Sequence, residues 1–317
     1  MLLQCIRVLR IIINSKMEAF LANPNLISLF GFFLGAIVGS FINVCAYRIP
    51  QNKSVIFPCS FCPSCEEPIP WVRNIPLFSW LFQQGLAHCC SYKIPSRYFW
   101  VELFTAIGFA YLFYAGSSFS NLVFTLTGCA FVFLLISVIV IDMETMTIPD
   151  RFSIGGALLG LLLSFAFPSM HALDNLEFAS HLISFFESLM GLLLGSSLLY
   201  WIGAIASRVF DREALGEGDV KLLGCIGAFC GWKGAVFTIF GGAMVGCIFM
   251  IPMLLLSRLN LRKEDLDKED RKIEWGMEIP FGPFLAIAAI LFWVGARFWV
   301  EEWFSEKLNP FLEFIGT

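Results

Sequence analysis

Long apolar runs separated by short polar stretches set the pattern of this chain. Eight segments carry it: residues 25–46, 98–117, 121–141, 152–169, 181–206, 219–231, 234–257 and 278–299. A helix needs about 20 apolar residues to cross a bilayer, so the pattern predicts an all-α polytopic membrane protein with about eight transmembrane helices in the lipid bilayer. The sixth segment is short, with only Trp232 and Lys233 between Gly231 and Gly234 to separate it from the seventh. The expected domains are an N-terminal segment at 1–24, a first span at 25–47, a cysteine-containing loop at 48–97, a transmembrane domain at 98–300 and a tail at 301–317. Met17 is an alternative start. No secretory signal peptide is expected, because the first apolar span has no small-residue cleavage site before Arg48.

Charge orients these spans. Lys and Arg gather in the loops 48–97 (Arg48, Lys53, Arg73, Lys93, Arg97), 206–221 (Arg208, Arg212, Lys221) and 258–272, whereas the loop 170–180 has Asp174 and Glu177 but neither Lys nor Arg. By the positive-inside rule the first three face the cytoplasm. Arg7, Arg10 and Lys16 run against that orientation. The mixed-charge stretch from Leu261 to Trp275 reads as a solvated loop. The content of 58% hydrophobic and 15% charged residues, with a mean hydropathy of +0.77, excludes a soluble domain. A net charge of -4 without a basic face excludes nucleic acid as a partner.

Two acidic motifs stand at the predicted cytoplasmic ends of spans. "IDMETMTIPD", residues 141–150, puts Asp142 directly after an apolar run, and "GEGD", residues 216–219, puts Asp219 at the start of another. Two separate spans thus deliver a carboxylate at the same depth. Gly216 and Gly218 let the backbone turn closely into the helix bearing Asp219. Two aspartates sharing a site cannot both ionise cheaply, so one keeps a proton while the other takes one from water. That is aspartic-protease chemistry, and it needs no nucleophilic Ser or Cys. Glu144, Asp150 and Glu217 read as solvated loop acids. Lys221, two residues after Asp219, either supports that aspartate or reaches the interface.

Ten of the eleven cysteines divide into two kinds. Cys45, Cys129, Cys225, Cys230 and Cys247 lie inside apolar runs and act as small hydrophobes. Five others fall between Cys59 and Cys90. Cys62 and Cys65 form a CxxC knuckle, and Cys89 and Cys90 follow about 24 residues later, close to the spacing of a zinc ribbon. In a cytoplasmic loop, zinc is expected over disulfides.

Taken in order, "GSFINVCAYRIP" from Gly39, "CPSC" from Cys62, "NIPLFSWL" from Asn74, "SRYFWVEL" from Ser96, "IDMETMTIPD", "GEGDVKLLG" from Gly216 and "IPFGPFLA" from Ile279 make the chain resemble the type IV prepilin peptidases. The resemblance implies an intramembrane GxGD aspartyl protease of the bacterial inner membrane. Such an enzyme cuts the short basic leader from a prepilin or a type II secretion pseudopilin on the cytoplasmic side. It implies Asp142 and Asp219 as the catalytic pair, with Gly216, Gly218, Glu144 and Lys221 in support. It also implies methylation of the new N-terminus with S-adenosylmethionine, seated in the first cytoplasmic loop, although no Rossmann fingerprint marks a binding site. The chain departs from the family in that loop: the usual second pair is CxxC, and here Cys90 holds its last position while Ala87 stands at its first. The expected zinc ligands are Cys62, Cys65 and Cys90, with Cys59 or Cys89 as the fourth. A rival reading makes Asp142 and Asp219 a proton relay in a transporter. That reading calls for repeated halves, and no repeat between the halves is evident.

Overall fold

The computed structural model describes residues 23–58, 60–116, 122–171, 177–213, 215–264 and 280–315. The described residues are almost wholly helical and contain no strand. Six of their helices are long and apolar enough to cross a membrane. The chain divides into two compact units, Met1–Ser137 and Val138–Thr317.

In the first unit, α1 (Pro24–Arg48) begins where Asn23 accepts from the N–H groups of Asn25 and Leu26, with Pro24 filling the first helical position. It runs along α3 (Arg97–Ala115), and the contact is made by small residues. A β-carbon on Gly35 would sit 2.7 Å from the Thr105 carbonyl, and one on Gly39 would sit 2.7 Å from the Glu102 Cα. Only glycine allows backbones that close, and dispersion between them replaces the hydrophobic drive that lipid cannot supply. Between α1 and α3 lies the cysteine loop, which holds a 3-10 turn at Trp71–Asn74 and the short α2 (Phe78–Phe82). Helix α4 (Leu122–Thr145) belongs to this unit up to Ser137 and to the second from Val138.

The second unit takes α5 (Asp150–Ala166), a 3-10 turn at Pro168–His171, α6 (Phe178–Phe210), α7 (Glu217–Glu264), and α8 (Gly282–Leu291), which passes through a π-turn at Phe292–Ala296 into α9 (Arg297–Ile315). Buried hydroxyls tie its helices where hydrocarbon offers no partner. Ser164 and Ser184 exchange hydrogen bonds with each other's carbonyls at 2.6 and 2.9 Å, and Ser188 donates to the Ala228 carbonyl at 2.6 Å.

The expectation of eight spans differs from the structure at two places. Helix α5, at 17 residues, is not among the six long apolar helices. The sixth and seventh segments join without a loop into α7, interrupted only at Gly231 (φ 68°, ψ 179°). That conformation is open to glycine and strained for other residues. It reverses the chain: a β-carbon on Gly195 would meet both the Leu223 carbonyl, at 2.9 Å, and Ala235, at 3.2 Å. In a straight helix those two residues would lie about 18 Å apart. Helix α7 is therefore two arms folded back on each other. The N-terminal segment and the solvated loop expected from Leu261 fall largely outside the described residues.

Candidate functional site

Asp142 stands in the penultimate turn of α4, which ends as the Met146 N–H bonds to the Asp142 carbonyl at 2.9 Å. The chain then turns through Ile148 and Pro149 into α5. Asp219 is the third residue of α7, and Gly216 caps that helix, its carbonyl accepting from the Asp219 N–H at 3.2 Å. The Asp219 carboxylate in turn accepts from the Gly216 N–H. The acid at the third position thus reaches back to the N–H of the cap, one half of a capping box, and glycine has no side chain to supply the other half. Gly218 leaves room for Ile148, which would lie 3.2 Å from any β-carbon there.

Both carboxylates are buried, Asp142 to 4% and Asp219 to 8% exposure. They converge on Gly282, the first residue of α8. A β-carbon at Gly282 would fall 2.5 Å from Asp142 Oδ2 and 3.3 Å from Asp219 Oδ1. The Gly282 N–H donates to Asp142, and the two aspartates interact electrostatically. Each carboxylate thus receives an N–H from a helix N-terminus, where the backbone dipole favours negative charge. Two convergent, buried carboxylates held this way are equipped for general acid and base chemistry on a water.

The surrounding sequence-predicted residues fall in different places. Glu144 and Glu217 are exposed. Lys221 pairs with Asp150 at 2.9 Å, both partly exposed. Gly282 was not singled out by sequence reasoning. Its only signal was its place inside "IPFGPFLA", because a glycine in an apolar run says nothing about its distant neighbours.

In the first unit the cysteine loop folds as two similar knuckles. The Cys62 N–H bonds to the Glu67 carbonyl, Glu66 to Cys62, and Ile69 to Ser60, and the same three bonds recur 25 residues on as Ala87 to Tyr92, Ser91 to Ala87, and Ile94 to Gly85. Single bridges, Phe61 with Pro68 and Leu86 with Lys93, close them. Cys65 and Cys90 are equivalent in this register, and Ala87 occupies the place of Cys62. Cys89, equivalent to Ser64, brings its sulfur to 3.3 Å from that of Cys65 and 3.8 Å from that of Cys90, while the Cys62 and Cys90 sulfurs lie 3.6 Å apart. All four sulfurs lie within 4.8 Å of one another. Tetrahedral zinc with bonds near 2.3 Å needs thiolates about 3.8 Å apart, so the set fits. Of the two candidates for the fourth ligand, Cys89 is in the cluster and Cys59 lies outside the described residues. Burial raises the Cys62 thiol, but the backbone N–H groups of Cys65 and Ser64 and the thiols of Cys89 and Cys90 bring it down to about 7. The hydrogen bond with Cys65 pushes Cys89 up to about 12. A metal bound here would have to displace protons.

The fold and the site define a polytopic helical membrane protein with a buried carboxylate pair. Residues 33–115 match the model of the bacterial peptidase A24 N-terminal domain, and residues 129–251 match that of the type IV leader peptidase family. The chain is 30% identical to the prepilin leader peptidase/N-methyltransferase of Myxococcus xanthus, over 84% of this chain and 89% of that protein. It is 31% identical to the protein of that name from Dichelobacter nodosus, over 84% and 92%, and 35% identical to that from Klebsiella pneumoniae, over 66% and 88%. No solved structure matches. The chain belongs to the type IV leader peptidase family and is a peptidase. These relatives lend no support to the proton-relay reading.

Proposed function

We propose that this protein removes the short basic leader from type IV prepilins or type II secretion pseudopilins, with Asp142 and Asp219 as the catalytic pair. The observation that carries the reading is the convergence of the two buried carboxylates on Gly282. The ionised aspartate takes a proton from water as the oxygen attacks the scissile carbonyl carbon, while the protonated one donates a hydrogen bond to the carbonyl oxygen. Collapse breaks the C–N bond, the leaving amine takes a proton from the pair, and the free carboxylate of the leader departs. The reading places this chemistry at the cytoplasmic face of the bacterial inner membrane, in keeping with the loop charges.

The peptidase domain of the sequence reading, residues 98–300, carries this step, and the loop at 48–97 carries a second one. There Cys62, Cys65, Cys89 and Cys90 would hold a structural zinc, which would brace a loop with little core of its own. Methylation of the freed N-terminus is supported by the bifunctional name of the relatives. That methylation would draw its methyl group from S-adenosylmethionine, which would leave as the neutral thioether while the surplus amine proton went to water.

The test is a gel-shift cleavage assay with detergent-solubilised protein and a prepilin from the same cell. Asp142→Asn and Asp219→Asn should each abolish cleavage, because members of such a pair act as a unit. Full activity in either folded variant would overturn the assignment.

A further inference from the structure

Helices α1 and α3 of the first unit run antiparallel, with the Asn43 amide donating to the Tyr98 carbonyl at 3.2 Å and Ser28 donating to the Ala110 carbonyl at 3.0 Å. Helix α3 has 19 residues, about 28 Å at a rise of about 1.5 Å each, so it needs its whole length to cross a hydrocarbon core of about 30 Å. Its two ends therefore mark the two surfaces of the membrane, and Ala106, its middle residue, lies near the mid-plane. Leu77 of the cysteine loop reaches toward that depth. It is buried in one cluster with Ala36 of α1 and Ala106, and Phe32, Phe99 and Leu103 pack against them. Its N–H donates to the Glu102 carboxylate at 2.7 Å, and Glu102 stands more than a turn inside α3.

A residue set that deep brings its neighbours down with it. From Asn74 to Ala87 the chain holds no charged side chain. Ile75, Phe78, Leu81 and Phe82 are all exposed, Phe82 to 83%, and Phe78 and Phe82 stack along one side of α2 with ring centroids 6.4 Å apart. An apolar face of this kind marks an interaction surface. It is continuous with the outer face of a span: Trp80 meets Phe99 at 5.3 Å, Phe99 meets Trp100 at 5.5 Å, and Trp100 meets Phe104 at 5.7 Å. Trp100 and Phe104 are exposed on α3, where the surroundings are lipid. Trp71 is exposed beside Arg73, and Arg97 opens α3, the aromatic and basic pairing of a membrane interface.

Lipid admits only backbone whose polar groups are met within the protein. The N–H groups of Phe78, Ser79 and Leu81 bond to the carbonyls of Pro76, Ile75 and Leu77 at 2.8, 3.0 and 3.2 Å, and Pro76 has no N–H to satisfy. Leu77, at φ +65°, stands just before α2, where a helix offers its N–H no partner, and Glu102 supplies one. The buried carboxylate of α3 thus completes the backbone of a segment that water does not reach. We propose that α2 and the residues leading into it are sunk into the leaflet on the loop's own side of the membrane, with Ile75, Phe78, Leu81 and Phe82 among the acyl chains and Trp71 at the headgroups. The cysteine loop is then held to the bilayer at a third point besides α1 and α3. This inference rests on α1 and α3 as spans and is independent of the catalytic pair.

The test is photo-crosslinking of the full-length chain in nanodiscs of phosphatidylethanolamine and phosphatidylglycerol, with a prepilin supplied in the same discs. A p-benzoylphenylalanine is placed at Phe82, at Phe104 as the lipid-facing reference, or at His88, exposed on the second knuckle, as the water-facing reference. The products are weighed by mass spectrometry, and the thermal midpoint reports folding. Position 82 is expected to gain the mass of a phospholipid in a yield like that of position 104, while position 88 gains none. An adduct at 82 with the prepilin or with a second copy of the chain would overturn the proposal. So would the loss of the lipid adduct at 82 while 104 still forms one, or equal lipid adducts at 82 and 88.

Discussion

Asp142 and Asp219 in the second unit each receive an N–H from the start of a helix, Gly282 for one and Gly216 for the other. Asn43 and Ser79 in the first unit are as deeply buried at their orphaned atoms, yet Oδ1 and Oγ meet nothing on the wall of an open cavity. Dipoles already aimed at a carboxylate need no reorganisation when chemistry begins. Acceptors left unmet each cost about 1–3 kcal/mol until something donates to them. The contrast separates polar groups whose partners the fold supplies from polar groups that it leaves unmet.

The comparison can be broken most severely at the carboxylates, where either Asn variant should abolish cleavage. Next in size is Gly282→Ala, whose new methyl would press on Asp142 Oδ2 from 2.5 Å and on Ile148 from 3.0 Å. Cleavage should fall by about a hundredfold, since misplacement by about 1 Å costs that much. An alanine variant with wild-type rates would mean that α8 does not set the pair.

The first unit is sharpened by moving a thiol. Cys89→Ser should lose zinc to a chelator well before the wild type, measured by metal release at pH 7. Adding Ala87→Cys to that variant should restore retention, because position 87 stands where Cys62 stands in the first knuckle. Retention should also fall as pH is lowered, because protons compete with the metal for the thiolates.

Lys221→Met should change cleavage by less than about threefold, as the Lys221–Asp150 pair is partly exposed and such pairs are weak. The smallest effect tests an exception inside the second unit. His171 Nε2 is buried there without a hydrogen-bond partner. Burial first, and then the Arg297 charge, push His171 from 6.5 down to about 4. Between those values the unfolded chain binds a proton that the folded chain refuses, so stability falls as pH drops through this window. The thermal midpoint should decline from pH 6.5 to 4, and His171→Leu should flatten that decline.

Much of this was legible in the sequence. The apolar runs place nearly every helix, because lipid demands length and hydrophobicity and both are written in consecutive residues. Asp142 and Asp219 were legible because carboxylates beside apolar runs stand out. Gly231 was visible as a short gap, but its reversal of the chain was not, since a glycine permits many conformations and neighbours select one. Glu102 could have been found as a carboxylate within the apolar run of α3. It went unremarked because "SRYFWVEL" reads as the start of a span.

The sequence by itself determined the membrane class, most of the helix positions, the paired acidic motifs and the cysteine cluster, because all are local patterns of solvation and charge. Only the tertiary structure decided that Gly282 lies between the two aspartates, that Cys89 enters the place Ala87 leaves empty, and that Asn43 and Glu102 share a cavity. Each of those depends on which backbones approach across long stretches of chain, and close packing, not local preference, fixes that choice.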